Sequence, residues 1–225
     1  MKTARTWAAA MVAVLLMTAC GQPEYHYIRD RGGTTYFKVP ASFTKLDSNP
    51  VDLFLSELHP DSEAARLRKE RVWSTAFDQS SRPVLDHLLG SADPFVFATV
   101  HQLTVGQRDE MSLDRLRDFV FPYTEPVRKA YLTQQLSLGR MPRYIRFEPL
   151  DDQVLILGGG ARGVHVRFNY QIGSDVQTYD QTAILDEQGS TVSVLIIACQ
   201  AACYRKRGGE FDRIAQSFKL LRLPG

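Results

Sequence analysis

The chain has 225 residues, 44% of them hydrophobic, with 27 Lys and Arg against 25 Asp and Glu. Lys2 and Arg5 account for the whole excess: they are the only charged residues before Cys20, and beyond it 25 basic side chains face 25 acidic ones. A nucleic-acid binder carries a basic surplus to neutralise phosphates, and none is present; the balance also gives no general attraction of the whole domain to anionic lipid.

The first segment reads as an export signal. Lys2 and Arg5 form a positive start, Trp7 to Met17 is uncharged and mostly apolar, and Met17-Thr18-Ala19-Cys20 follows. The run suits a signal peptide and is short for a membrane span. This order resembles the lipobox of bacterial lipoproteins, which implies cleavage after residue 19, diacylglycerol on Cys20, and anchoring to a bacterial cell membrane or outer membrane with the domain outside the cytoplasm. Met17 stands where Leu is commoner. The expected organisation is a signal peptide over 1–19, a lipidated Cys20 with a polar tether to residue 33, and one domain over 34–225. Thirteen tether residues reach at most roughly 45 Å, which favours a membrane-proximal partner.

Within the domain, Thr35, Phe37 and Val39 alternate with Tyr36 and Lys38 up to Pro40, a short strand. Residues 50–58 and 61–71 read as helices, the second capped by Asp61 or Ser62. Its bases Arg66, Arg68, Lys69 and Arg71 read as a solvated face, since Glu63 and Glu70 interrupt them. A strand is expected from Phe95 to Leu103, a helix capped by Ser112 through about Val120, and a helix over 126–136. Strands are expected over 143–148 and 153–157. From Gly163, Val164, Val166, Phe168, Tyr170 and Ile172 alternate with His165, Arg167, Asn169 and Gln171, the mark of a strand with one buried and one wet face. Strands over 176–185 and 190–198 complete an antiparallel meander. Phe211, Ile214, Ala215, Phe218 and Leu221 then recur at helical spacing. The layout is α+β, a mainly antiparallel sheet packed with helices in two or three layers.

The stretches "FKVPASF" (37–43) and "FDRIAQSFKL" (211–220), with the three strands between them, resemble the PsbP-like fold. This fold is known from the extrinsic protein of the photosynthetic oxygen-evolving complex and from LpqN-type bacterial lipoproteins. The resemblance covers residues 35–45 and 163–221; residues 50–142 match poorly and would hold insertions. It implies a non-enzymatic binding or assembly role and supplies no catalytic residue.

Several patterns invite chemistry. Gly158-x-Gly160-x-x-Gly163 fits the dinucleotide fingerprint by letters. The third glycine of that fingerprint must open a helix whose N-terminus meets the pyrophosphate, whereas the residues after Gly163 alternate with period two. A hairpin is expected instead. Cys199 and Cys203 are an even remainder once Cys20 is lipidated, and a structural disulfide is expected. Four strand residues separate Cα atoms by about 13 Å, beyond disulfide reach, so the chain must turn after Ala198. His26, His59, His87, His101 and His165 show no metal-ligand spacing, although His101 and His165 lie on strands that could converge. Asp109-Glu110, Asp151-Asp152 and Asp186-Glu187 read as loop and turn acids. No local motif supplies a nucleophile, and no cofactor is expected. The leading expectation is a binding or assembly module for an envelope protein or small ligand near the membrane. The alternative is an envelope enzyme whose site is assembled from distant residues.

Overall fold

The computed structural model describes residues 23–48, 53, 55, 56 and 58–221; the signal segment and Cys20 lie outside them. Alternation builds the main sheet. Seven strands, β3 (Thr44–Leu46), β4 (Val72–Asp78), β5 (Phe95–Gln102), β6 (Ile145–Ile156), β7 (Arg162–Ile172), β8 (Asp175–Leu185) and β9 (Thr191–Gln200), pair antiparallel in the order β3-β4-β5-β9-β8-β7-β6. The expected meander is its β6-β7-β8-β9 half. A second sheet holds β1 (Tyr25–Arg29), β2 (Thr35–Pro40) and β10 (Lys219–Leu220), in the order β1-β2-β10.

Because side chains alternate, β4, β5, β8 and β9 each feed two cores. One face gathers Phe97, Phe121, Val166, Phe168, Tyr179 and Ile196. Phe121 centres this cluster, 4.3 Å from the Tyr179 ring and 5.6 Å from Tyr144. It is carried on the segment after α3 (Leu113–Arg117), where the Asp118 carboxylate accepts the Tyr123 and Thr124 amides at 2.7 Å each. The other face packs Val96, Leu195 and Ile197 against Phe37 and Val39 of β2 and against Phe211 and Ile214 of α5 (Ala201–Ser217). The result is the expected α+β arrangement in layers, with one sheet serving two cores.

The shorter helices are set by their ends. α1 (Glu63–Arg71) is capped by Ser62, whose hydroxyl accepts the Ala65 amide, and Arg66 pairs with Glu63 and Glu70. α2 (Val105–Asp109) carries a Thr104/Gln107 capping box. Ser112 caps α3 as expected, but that helix stops at Arg117 rather than Val120. The buried Gln181 amide donates to the Leu116 and Arg117 carbonyls at 3.1 and 3.0 Å and satisfies them before another turn forms. α4 (Glu125–Ser137) matches the expected helix over 126–136.

Other expectations need correction. The tether was to run to residue 33, yet Tyr25–Arg29 is a strand paired along β2, with Ile28 buried in the second core. The two strands expected over 143–157 are one, β6. Its register shifts between Ile145 and Glu148 and between Pro149 and Asp151, and each shift admits one extra residue without ending the pairing. The closing helix starts ten residues before Phe211 and ends at Ser217, after which Lys219 and Leu220 join β2. β4 and the 3₁₀ turn Leu85–Leu89 had no counterpart in the sequence reading.

Candidate functional site

On the face of β7 and β8 under α5, β-pairing sets Arg167 directly opposite Asp180 and His165 diagonal to it. The Asp180 carboxylate accepts from His165 Nε2 at 2.7 Å and from Arg167 Nε and Nη2 at 3.2 and 3.1 Å, and the Tyr204 hydroxyl of α5 donates to the same oxygen as Arg167. Arg167 also reaches Asp212 of α5 at 3.2 Å. Burial opposes the Asp180 charge, yet the hydrogen bonds from His165 and Tyr204 and the Arg167 guanidinium outweigh it and hold the carboxyl below its ordinary range. The hydrogen bond to Asp180 raises His165 against its burial. Burial, then the Asp180 carboxylate, push the Tyr204 phenol far upward. These strand residues were expected to be wet; α5 half-buries them, and the cluster clamps that helix to the sheet.

The glycine stretch stands at one end of the same face. Leu157 donates its amide to the Ala161 carbonyl at 3.0 Å across a Gly158–Gly160 turn that joins β6 to β7. No helix follows Gly163, so the motif is the expected hairpin. Gly160 has φ +95°, a left-handed conformation, and a Cβ on Gly163 would stand 2.4 Å from the Ala183 carbonyl oxygen. The turn forms one wall of a cavity of about 610 Å³. Ile184 of β8, Ala161 and Phe218 supply apolar surface, while Asp186, Ser193 and Lys219 bring polar groups. That volume suits a small molecule. Asp186 is occupied: its carboxylate accepts the Ser190 amide at 2.6 Å and the Ser190 hydroxyl at 2.8 Å. Ser193 is tied to Thr35 at 2.8 Å. A second hollow of about 420 Å³ lies beside the β4 edge, with Arg31, Lys45 and Lys69 on its wall.

The remaining candidates scatter. His101 lies on the opposite face of the sheet from His165, edge-on to Phe119 at 4.8 Å, so the two histidines do not converge. His26 meets the Phe43 carbonyl at 2.9 Å, His87 the buried Asp78 at 2.6 Å, and His59 the Asp61 amide at 3.3 Å. Asp151 and Asp152 lie in β6 rather than in a loop. Asp152 binds Arg117 at 2.7 Å and the Tyr123 hydroxyl at 3.1 Å, and burial first, then Asp152, push that phenol up to about 12. Among the described residues no group of three or more His, Cys, Asp or Glu side chains gathers to hold a metal. Cys199 and Cys203 are free thiols rather than the expected disulfide. The chain does turn as a bridge would require, since β9 ends at Gln200 and α5 begins at Ala201. Burial, then the adjacent Cys203, push the Cys199 thiol far upward, so the thiolate needed for exchange is disfavoured. The sequence reading missed Asp180 and Tyr204; an aspartate in mid-strand, opposite Arg167, was the available signal.

The solution structure of CyanoP, the cyanobacterial PsbP of Synechocystis sp. PCC 6803, matches this chain with a TM-score of 0.52 over 90% of this chain and 96% of that one, at 11% identity. The fold is PsbP-like. LpqN, involved in cell envelope biogenesis of Mycobacterium tuberculosis, gives a TM-score of 0.46 at 12% identity, covering 88% of this chain and 91% of its own. The Saccharomyces cerevisiae Ran-binding protein Mog1p gives 0.41 at 9% identity, covering 88% and 96%. No family model and no curated protein matches the sequence. At 11% identity the likeness to CyanoP is one of architecture, and the function of this chain rests on its own site.

Proposed function

We propose that this chain is a lipid-anchored, extracytoplasmic, non-enzymatic binding module of the bacterial envelope that seats a small ligand or holds a membrane-proximal protein. Cys20 carries the lipid. Only residues 21–24 separate it from the first strand, a reach of at most about 14 Å, so the domain stands against the bilayer. The observation that carries the binding role is the cavity of about 610 Å³ with apolar surface beside its polar groups. The competing envelope enzyme needs a carboxylate or imidazole free to move a proton in that space. The most enzyme-like group, Asp180 with His165, lies along β8 from the cavity residue Ile184 and is consumed by its own donors.

Purification of the full chain from solubilised membranes, followed by native mass spectrometry, tests the reading. A copurifying small molecule or protein is expected, lost when Leu157→Trp narrows the cavity mouth. Recovery of the bare chain from both forms overturns the binding role. The anchor is tested apart, by the mass of the N-terminal peptide, which should carry a diacylglycerol adduct on Cys20.

A further inference from the structure

The charge balance of the whole chain hides a local imbalance. Between Glu125 and Glu148 there is no acidic residue, and Arg140, Arg143 and Arg146 recur at every third position. The structure exposes all three. Arg128 and Lys129, earlier in this stretch, are engaged: Arg128 donates to the Tyr123 carbonyl and lies over the Phe147 ring, and Lys129 pairs with Glu125. Arg140 and Arg146 form no ion pair among the described residues. Arg146 projects from a bulge of β6 with φ +51°. The acids that approach by register are Glu148, which accepts from Asn169 at 2.7 Å, and Asp175 at the β7–β8 turn.

Apolar side chains interleave with these arginines. α4 turns Tyr131 inward, where its hydroxyl accepts the Arg143 amide at 2.9 Å. Leu136, Leu138 and Met141 are left 64%, 55% and 89% exposed. Met141 sits between Arg140 and Pro142 just past Gly139, at the head of the segment leading into β6. Arginines flanking a run of exposed apolar tips match phosphate headgroups over acyl chains.

We propose that the surface formed by Leu136, Leu138, Arg140, Met141 and Arg146 docks on the anionic face of a lipid bilayer. The apolar tips enter the headgroup boundary and the guanidiniums meet lipid phosphates. The cavity lies at the opposite end of β6 and β7, by the Gly158–Gly160 turn, so docking leaves it open. Membrane proximity through Cys20 belongs to the proposed function, but the surface acts without it, and the two are separable.

Flotation of the mature chain, from residue 20 and carrying Cys20→Ser, with vesicles of phosphatidylcholine alone or mixed with phosphatidylglycerol, tests the surface without the lipid and without the apolar export signal. The comparison is with Arg140→Glu/Met141→Ser/Arg146→Asn added, where Asn tolerates the left-handed backbone. A charge-matched control, Lys69→Glu/Arg71→Gln on α1, completes the set. The surface variant should lose more than about twentyfold in partition to the anionic vesicles: about fivefold for each of the two arginines removed, with the repulsion of the carboxylate that Arg140→Glu introduces added to it. It should change little on phosphatidylcholine, and the control should bind as its parent does. Equal binding by parent and surface variant, an equal loss in the control, or equal partition of the parent to vesicles with and without phosphatidylglycerol overturns the assignment. The Cys20 adduct is measured independently, so failure here leaves the anchor untouched.

Discussion

At the scale of single residues, Asp180 carries the most unusual chemistry. Its side chain is 1% exposed, and it keeps its charge because Arg167, His165 and Tyr204 all turn their donors on it. Removing one partner from a buried ionic cluster leaves the others unpaired, which costs far more than the intact cluster contributes. Asp180→Ala should therefore destabilise the fold by about 3 kcal/mol or more in urea unfolding. Asp212→Ala removes the half-exposed outer carboxylate from the same arginine and should cost under about 1 kcal/mol. Equal losses would mean that burial of Asp180 is not what matters. Beyond the mid-strand aspartate itself, little of this was legible residue by residue: the alternation of β7 put His165 and Arg167 on one face, but their acceptor lies on another strand and its third donor on a helix.

At the scale of elements, α5 is held to the sheet by this cluster and by Phe211 and Ile214 beneath it, and its docking should depend on pH. The Asp180 value is lowered on folding, so its contribution is present above the ordinary carboxyl value of 3.8 and is lost as pH falls through the folded value. The His165 value is raised, so its contribution is full below the ordinary 6.5 and is lost as pH rises through the folded value. Melting followed by circular dichroism should show highest stability between these limits, with His165→Gln removing the alkaline fall and leaving the acid one. An unchanged alkaline limb in that variant would exclude His165 as its source. Legibility also varied by element. β7 was clear because Val164, Val166 and Phe168 alternate with polar residues. β4 was not: Thr75, Ala76, Phe77 and Asp78 are all buried, and a strand covered on both faces shows no period of two. β1 offered only Ile28 as a buried residue, too little to stand out from a polar tether until β2 paired with it.

At the scale of the molecule, one sheet serves both cores, since neighbouring residues of β5, β8 and β9 point to opposite sides. Losing either core strips one face from the same strands, so the two should melt together. Trp73 packs against the second core, whereas circular dichroism averages over the whole chain; their unfolding midpoints in urea should coincide, and separate midpoints would mean the faces unfold independently. The amino-acid order alone determined the balanced charge, the alternating strands, the amphipathic closing helix and the dismissal of the glycine fingerprint, because each is a statement about neighbours within a few residues. Period two says that a strand has two faces and not what covers them. Only the tertiary structure decided that α5 half-buries the polar side of β7, that Tyr204 reaches back 24 residues to Asp180, and that the glycine turn walls a cavity, because those contacts join segments whose spacing carries no local signal.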